Sequence, residues 1–295
     1  MKLFVTWSPY DFSSFLEEFV DGFSVPLGSL DKHLMEKSML TGLRKAIGTT
    51  KEVIVDSLLS TIADASRGSL ISKSQYHIFN IQLWLNPDYI VHKDYPILYK
   101  NLTKIEKRKL LERTILNAEI TLKLIDKYDI NDKNVIFVIQ GWNEESFRYC
   151  AKRYADMGVK MYGLGSSIKT SPSDFIKRLR IVREAIGDEA YLHVFGALKP
   201  SVLKEAKTMC NSVDTSTPFK AAAMGYVMIL EEGRVKRIRV DNASLEDLHI
   251  PHSLQRELEK VINELGSLSE GMPPITRLKR VLAAVNVYTL RCALR

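Results

Sequence analysis

From residue 50 onward, short runs of almost uniformly apolar, β-branched residues alternate with longer stretches of helical periodicity. KEVIVDS (51–57) and PDYIVHKD (87–94) read as strands; residues 103–128 carry Leu110, Leu111, Ile115, Ile120, Leu122 and Leu124 at helical spacing. NVIFVIQG (134–141) predicts a buried strand, 144–157 a helix and VKMYGLG (159–165) a further strand. A helix then starts at Ser171-Pro172, a serine cap before a first-turn proline. AYLHVFG (190–196) reads as a strand, 199–209 as a helix and NSVDTS (211–216) as the next strand. Strands apolar on both faces belong in a parallel sheet covered by helices. Six or more such units in 295 residues fit an α/β fold of the TIM (β/α)8 barrel type better than an open sheet. No G-x-G-x-x-G follows an early strand to suggest a dinucleotide fold.

GYVMILEEGRVKRIRV (225–240) interrupts the alternation and reads as a β-hairpin around Glu231-Glu232-Gly233. HSLQRELEKVINEL and RLKRVLAAVNVYTLR read as C-terminal helices joined by SLSEGMPP. With no internal repeat or low-complexity tract, one domain over 1–295 is expected. The longest uncharged apolar candidate, 221–230, falls short of the roughly 18 residues a membrane span needs. The N-terminal MKLFVTWSPYDF breaks its apolar run at once, as a first strand would and a signal peptide would not. Cys150, Cys210 and Cys292 are too scattered for a disulfide framework or a C-x-x-C knuckle, which suits a reducing, cytoplasmic setting, and Cys150 and Cys210 read as packing residues. A net charge of +7 favours a polyanionic partner. The excess gathers at 104–113, at 234–239 (Arg234, Lys236, Arg237 and Arg239) and near the C-terminus, each of which also reads as a solvated face.

In such a barrel, chemistry sits at the C-terminal ends of the strands. Those ends carry Asp56, Asp94, Gln140-Gly141, Gly163-Leu164, Gly196 and Asp214. A lone aspartate there is commonly a turn former, and Asp214 in SVDTSTP, before an apparent turn at Thr215–Pro218, fits that role too. Three carboxylates with an amide suggest more. Two carboxylates can divide displacement at an anomeric carbon, one attacking and the other handling the leaving group's proton. The remaining carboxylate and the amide can bond the edge of a purine, with glycines allowing close approach to a flat base.

These motifs, in order over roughly residues 50 to 290, resemble the tRNA-guanine transglycosylases, which exchange a guanine in nucleic acid for a 7-deazaguanine base. The resemblance implies a general acid/base at Asp56 (VIVDS), base binding at Asp94 (HKDYP), base recognition by Gln140 and Gly141 (VIQG), and backbone contacts from Gly163 and Leu164 (YGLG). HVFGALKPSVLKEAKTMCNSVDTSTP is similar to the segment that ends in the nucleophile, here Asp214. Its partners would be a nucleic acid, free guanine and the 7-deazaguanine base, with no cofactor and no membrane.

The departures narrow this expectation. Leu58, Leu59 and Ser60 stand where the family has two glycines and a base-stacking phenylalanine. LHIPHS replaces the family's zinc-binding cysteines, and Val285-Asn286 replaces its His-Asn, so no metal is expected; His249 and His252 read as surface residues. The family's dimer contacts involve that zinc region, which leaves a homo-oligomer open. A short, zinc-free relative without an added RNA-binding domain points to the DNA-modifying branch, with tRNA the alternative. DNA would present its guanine flipped or single-stranded, and the hairpin cations and C-terminal basic residues would contact phosphates. Two rivals differ in class. A barrel hydrolase or lyase would bind phosphate at 163–167; a non-catalytic nucleic-acid-binding protein would need neither Asp56 nor Asp214. His193, mid-strand, reads as a satisfied core residue, and Trp7, Tyr10 and Phe12 as core before stacking platforms.

Overall fold

The computed structural model describes residues 1–8, 16–57, 73–97, 102–165, 170–196, 202–240 and 274–295. Eight parallel strands close into a barrel in chain order. They are β1 (Lys2–Thr6), β2 (Gly22–Pro26), β3 (Glu52–Asp56), β4 (Tyr89–Val91), β5 (Val135–Ile139), β6 (Met161–Leu164), β7 (Tyr191–Val194) and β8 (Ser212–Thr215). The ring shuts where Phe4 of β1 lies in register with Asp214 of β8. Seven of these strands follow the sequence reading. The exception is β2, whose glycine and proline ends hide it; a Cβ on Gly22 would strike the Phe4 ring at 2.3 Å and the Glu52 carbonyl at 2.4 Å. Only glycine lets β1, β2 and β3 approach there.

The helices are α1 (Lys32–Thr41), α2 (Leu43–Ile47), α3 (Gln75–Leu85), α4 (Lys104–Tyr128), α5 (Glu144–Asp156), α6 (Pro172–Ile186), α7 (Leu203–Ala206), α8 (Thr217–Ala223) and α9 (Pro274–Leu294). Their ends follow local chemistry. Thr103 and Glu106 make a reciprocal capping box on α4, a device of about 1 kcal/mol, and Ser171 caps α6 before Pro172. The apparent turn after Asp214 is instead the start of α8, because Pro218 stands where a helix has no use for an amide hydrogen. The expected helix over 199–209 is described only as the single turn of α7, and HSLQRELEKVINEL lies outside the described residues.

Two apolar layers explain the strand composition. Phe4, Ile54, Val91, Ile136, Val138 and Met161 fill the barrel interior. Outside, Phe137, Ile139, Leu164, Leu192 and Val213 pack with residues of α4, α5 and α6, while Val5, Phe23, Val53 and Val55 pack with Leu282, Val285 and Val287 of α9. Side chains alternate along a strand. Inward-facing Ile54, Ile136 and Val138 therefore place Asp56 and Gln140 inward at the rim.

β9 (Tyr226–Glu231) and β10 (Arg234–Arg239) form the expected antiparallel hairpin. Its two-residue turn, Glu232-Gly233, has positive φ at both positions (50° and 73°), which matches the right-handed strand twist. Asn286 of α9 fastens it: its side-chain amide donates to the Pro218 and Tyr226 carbonyls at 3.1 Å each and accepts from Met228 N–H at 2.5 Å. Trp7 belongs to the core, whereas Tyr10 and Phe12 lie outside the described residues. Among the described residues no helix is long and apolar enough to cross a membrane.

Candidate active site

At the C-terminal rim, Asp94 and Gln140 meet directly: the Gln140 amide donates to Asp94 Oδ2. Asp94 follows β4 by three residues, so its position depends on the irregular segment 92–95, and every turn of that segment is tied down. His92 is fully buried; its Nδ1 accepts from Val138 N–H at 3.1 Å, and its Nε2 lies 3.2 Å from the Tyr154 hydroxyl. Ser57 donates to the His92 carbonyl at 3.0 Å. Lys93 N–H donates to Gln75 Oε1 at 2.6 Å, and Asn117 donates to the Lys93 carbonyl at 2.8 Å. Tyr95 N–H donates to Thr114 Oγ1 at 2.9 Å. Burial pushes the Asp94 carboxyl up to about 7, against the opposing pull of the Gln140 amide.

Across the barrel, Asp214 points inward from β8 and is 6% exposed. Gly196 N–H donates to its Oδ1 at 2.5 Å, and the Ser24 side chain also hydrogen-bonds the carboxylate. Gly196 has φ of 77°, a left-handed conformation that suits glycine and aims its amide at the acid. Burial raises the Asp214 carboxyl to about 6, limited by those donors and by the Lys220 charge. Asp56 ends β3 at the same rim, in register with Pro26 and half-buried. The two buried acids thus sit in unlike settings, one facing an amide and the other held by a backbone N–H and a hydroxyl.

The glycines serve the protein's own rings. A Cβ on Gly141 would meet the Phe147 ring at 2.8 Å; one on Gly163 would meet Phe195 at 2.4 Å. Leu164 is fully buried in the outer layer, and its carbonyl accepts Phe195 N–H at 3.1 Å. Gly165 carries the contact with Gln140: a Cβ there would lie 2.4 Å from the Gln140 Nε2. Sequence reasoning missed Ser24, because β2 went unread, and underrated Gly165. The segment 58–60 and most of the 163–167 phosphate candidate's tail (166–167) lie outside the described residues.

His193 departs from the satisfied-core expectation. Its Nδ1 lies 2.8 Å from Ser212 Oγ, but its buried Nε2 has no hydrogen-bond partner among the described residues and lies 4.0 Å from Asp214 Oδ1. Burial pushes the ring down to about 3, so it is neutral. Cys150 and Cys210 are core residues whose thiols burial pushes up to about 12.

The hairpin cations divide by strand alternation. Arg234 and Lys236 share one face, with Lys236 paired to Glu231; Arg237 and Arg239 share the other, and all four are exposed. Arg291, expected among the phosphate contacts, is instead bound to Asp21 through both guanidinium NH2 groups. Asp21 Oδ2 also accepts Leu3 N–H at 2.7 Å, so this ion pair anchors β1. Val285, at the position of a family ligand, is packed among apolar residues, Asn286 spends its amide on the backbone, and no cluster of three ligating side chains occurs among the described residues. His249 and His252 lie outside them.

An eight-stranded parallel barrel with acids gathered at the C-terminal rim defines an enzyme of the (β/α)8 class. The family model described as queuine tRNA-ribosyltransferase matches residues 36–255, and the chain belongs to this tRNA-guanine transglycosylase family. It is a pentosyltransferase that acts on guanine in nucleic acid. No curated protein matches the chain.

Proposed function

We propose that this enzyme replaces a guanine in DNA with a 7-deazaguanine base through a covalent Asp214–nucleotide intermediate. The observation that carries the proposal is the environment of Asp214: a buried carboxylate inside the rim, fixed by Gly196 and Ser24, opposite the paired Asp94 and Gln140. With its carboxyl at about 6, Asp214 is mostly ionised at neutral pH, and its poor solvation favours attack.

An Asp214 oxygen attacks C1′ of the target nucleotide. The C1′–N9 bond breaks, its electron pair goes to N9, and Asp56 supplies the proton that releases neutral guanine. The incoming base loses its own ring N–H proton to Asp56 and attacks C1′, which returns the electron pair of the C1′–O bond to Asp214. Two inversions give retention. Asp94 accepts N–H groups of the base edge and Gln140 supplies an amide; Gly141, Gly163 and Leu164 shape the wall behind it. Arg234, Lys236, Arg237 and Arg239 contact phosphates.

The apolar Val285 at a family zinc-ligand position supports DNA over tRNA in this reading, because its side chain has no atom that could ligate a metal. Labelled guanine exchange into matched single-stranded DNA, duplex DNA and tRNA tests the reading. Label entering DNA and not tRNA is expected; label entering tRNA alone overturns the choice of substrate.

A further inference from the structure

A chain of three side chains crosses the barrel interior beneath Asp214. Tyr191 OH donates to Ser212 Oγ at 2.9 Å, and Ser212 Oγ lies 2.8 Å from His193 Nδ1. Because the serine accepts from the tyrosine, its own proton is available for Nδ1, and the ring then carries its proton on Nε2. That nitrogen is fully buried, has no partner among the described residues and faces Asp214 Oδ1 at 4.0 Å. Phe4 and Phe195 pack edge-on against the imidazole, with centroids 5.9 and 4.4 Å away, and hold its plane. The glycine at 163, the register neighbour of His193, leaves the space that Phe195 fills.

We propose that His193 is a positioning residue whose Nε2–H becomes, beside Gly196 N–H, the second donor to Asp214 Oδ1. Oδ2 is then the attacking oxygen. The separation of 4.0 Å is about 1 Å too long for a hydrogen bond, and such contacts commonly tighten when substrate binds. This role rests on the reading of Asp214 as the nucleophile and adds a directional consequence. During attack, charge leaves the carboxylate. When the incoming base breaks the Oδ2–C1′ bond, charge returns and spreads to Oδ1, where the donor stabilises it. His193 keeps its proton in both steps. Its neutral imidazole holds the carboxylate without quenching it, as a cation would.

The test separates the two ring nitrogens. His193→Asn retains an amide near Nδ1 and removes the donor facing Asp214; His193→Gln places an amide near Nε2. The covalent adduct with a guanine-containing oligonucleotide is isolated under native conditions, and its discharge by free guanine is followed on denaturing gels. In His193→Asn, discharge should slow about 10- to 100-fold and the trapped fraction at steady state should rise, whereas His193→Gln should stay within about 3-fold of wild type. Equal slowing in both variants, or wild-type discharge in His193→Asn, would overturn the role. Should His193→Asn fail to fold, Ser212→Ala decides: it leaves the ring but removes the partner that sets its tautomer. Discharge there should slow about 3- to 10-fold, and an unchanged rate overturns the proposal. An active Asp214→Asn enzyme would instead remove the nucleophile reading itself, and this role with it.

Discussion

The two walls of the rim are built on different principles. On the β4–β5 side, Asp94 is carried by a segment in which His92, Lys93 and Tyr95 are each fastened by the side chain of Ser57, just after β3, or by side chains from α3, α4 or α5. On the β7–β8 side, Asp214 has a backbone donor and a hydroxyl, and beside it one His193 nitrogen has no partner among the described residues. A surface that must recognise a flat base gains from rigidity, because every donor it presents is fixed before the base arrives. A nucleophile that makes and breaks a bond needs an environment whose hydrogen bonding can change along the reaction. On the proposed reading, the fixed wall suits recognition and the other wall covalent chemistry.

Substitutions on each wall break the comparison in distinct ways, beginning with the largest effect. Asp214→Asn should lower guanine exchange by at least about 1,000-fold while nucleic-acid affinity, measured by filter binding, stays within about 3-fold of wild type. Comparable losses in both quantities would mean that Asp214 helps to hold substrate.

Asp94→Asn should cost about 10- to 100-fold in kcat/KM for the base. Its pH dependence is the sharper sign. In the wild type, base affinity should fall as pH drops through about 7, because the carboxyl takes up a proton and ceases to accept the base's N–H groups; the variant should lack that limb. Stability should move the other way. The folded carboxyl holds its proton up to about 7 against an ordinary 3.8, so wild-type stability contributed by this group is lost as pH rises between those values. Chemical denaturation should therefore find Asp94→Asn gaining on wild type from pH 5 to pH 8, by at most about 3 kcal/mol. A gap that does not change with pH would contradict the buried-acid account.

The smallest effect lies on the hairpin, away from both walls. Arg237→Ala and Arg239→Ala should each weaken binding of all sequences alike and flatten the salt dependence of log K by about one unit, leaving exchange at saturating substrate unchanged. A fall in saturated turnover would place the hairpin nearer the chemistry.

Much of this molecule was legible in its sequence because buried parallel strands leave little choice of residue. VIVD, VIFVI and YLHV are apolar on both faces, and their ends name the rim. Gly22 and Pro26 concealed β2, and with it Ser24, since both residues ordinarily interrupt a strand. Pro218 read as a stop although it opens α8, because proline suits a turn and a helix's first turn equally well. The glycines at 141 and 163 signalled close approach correctly, but no pattern in one sequence says whether the neighbour is a base or a phenylalanine. His193 has the same ambiguity: strand alternation places it inside the barrel, and only the three-dimensional register brings its second nitrogen to face Asp214.

The central claim is that Asp214 forms the bond to the sugar. Denaturing electrophoresis of the enzyme mixed with a labelled guanine-containing oligonucleotide, followed by mapping of the attached peptide by mass spectrometry, tests it directly. The account predicts a retarded band in the wild type, attachment at Asp214, and no band in Asp214→Asn. Attachment at Asp56, or a band that survives in Asp214→Asn, would contradict it.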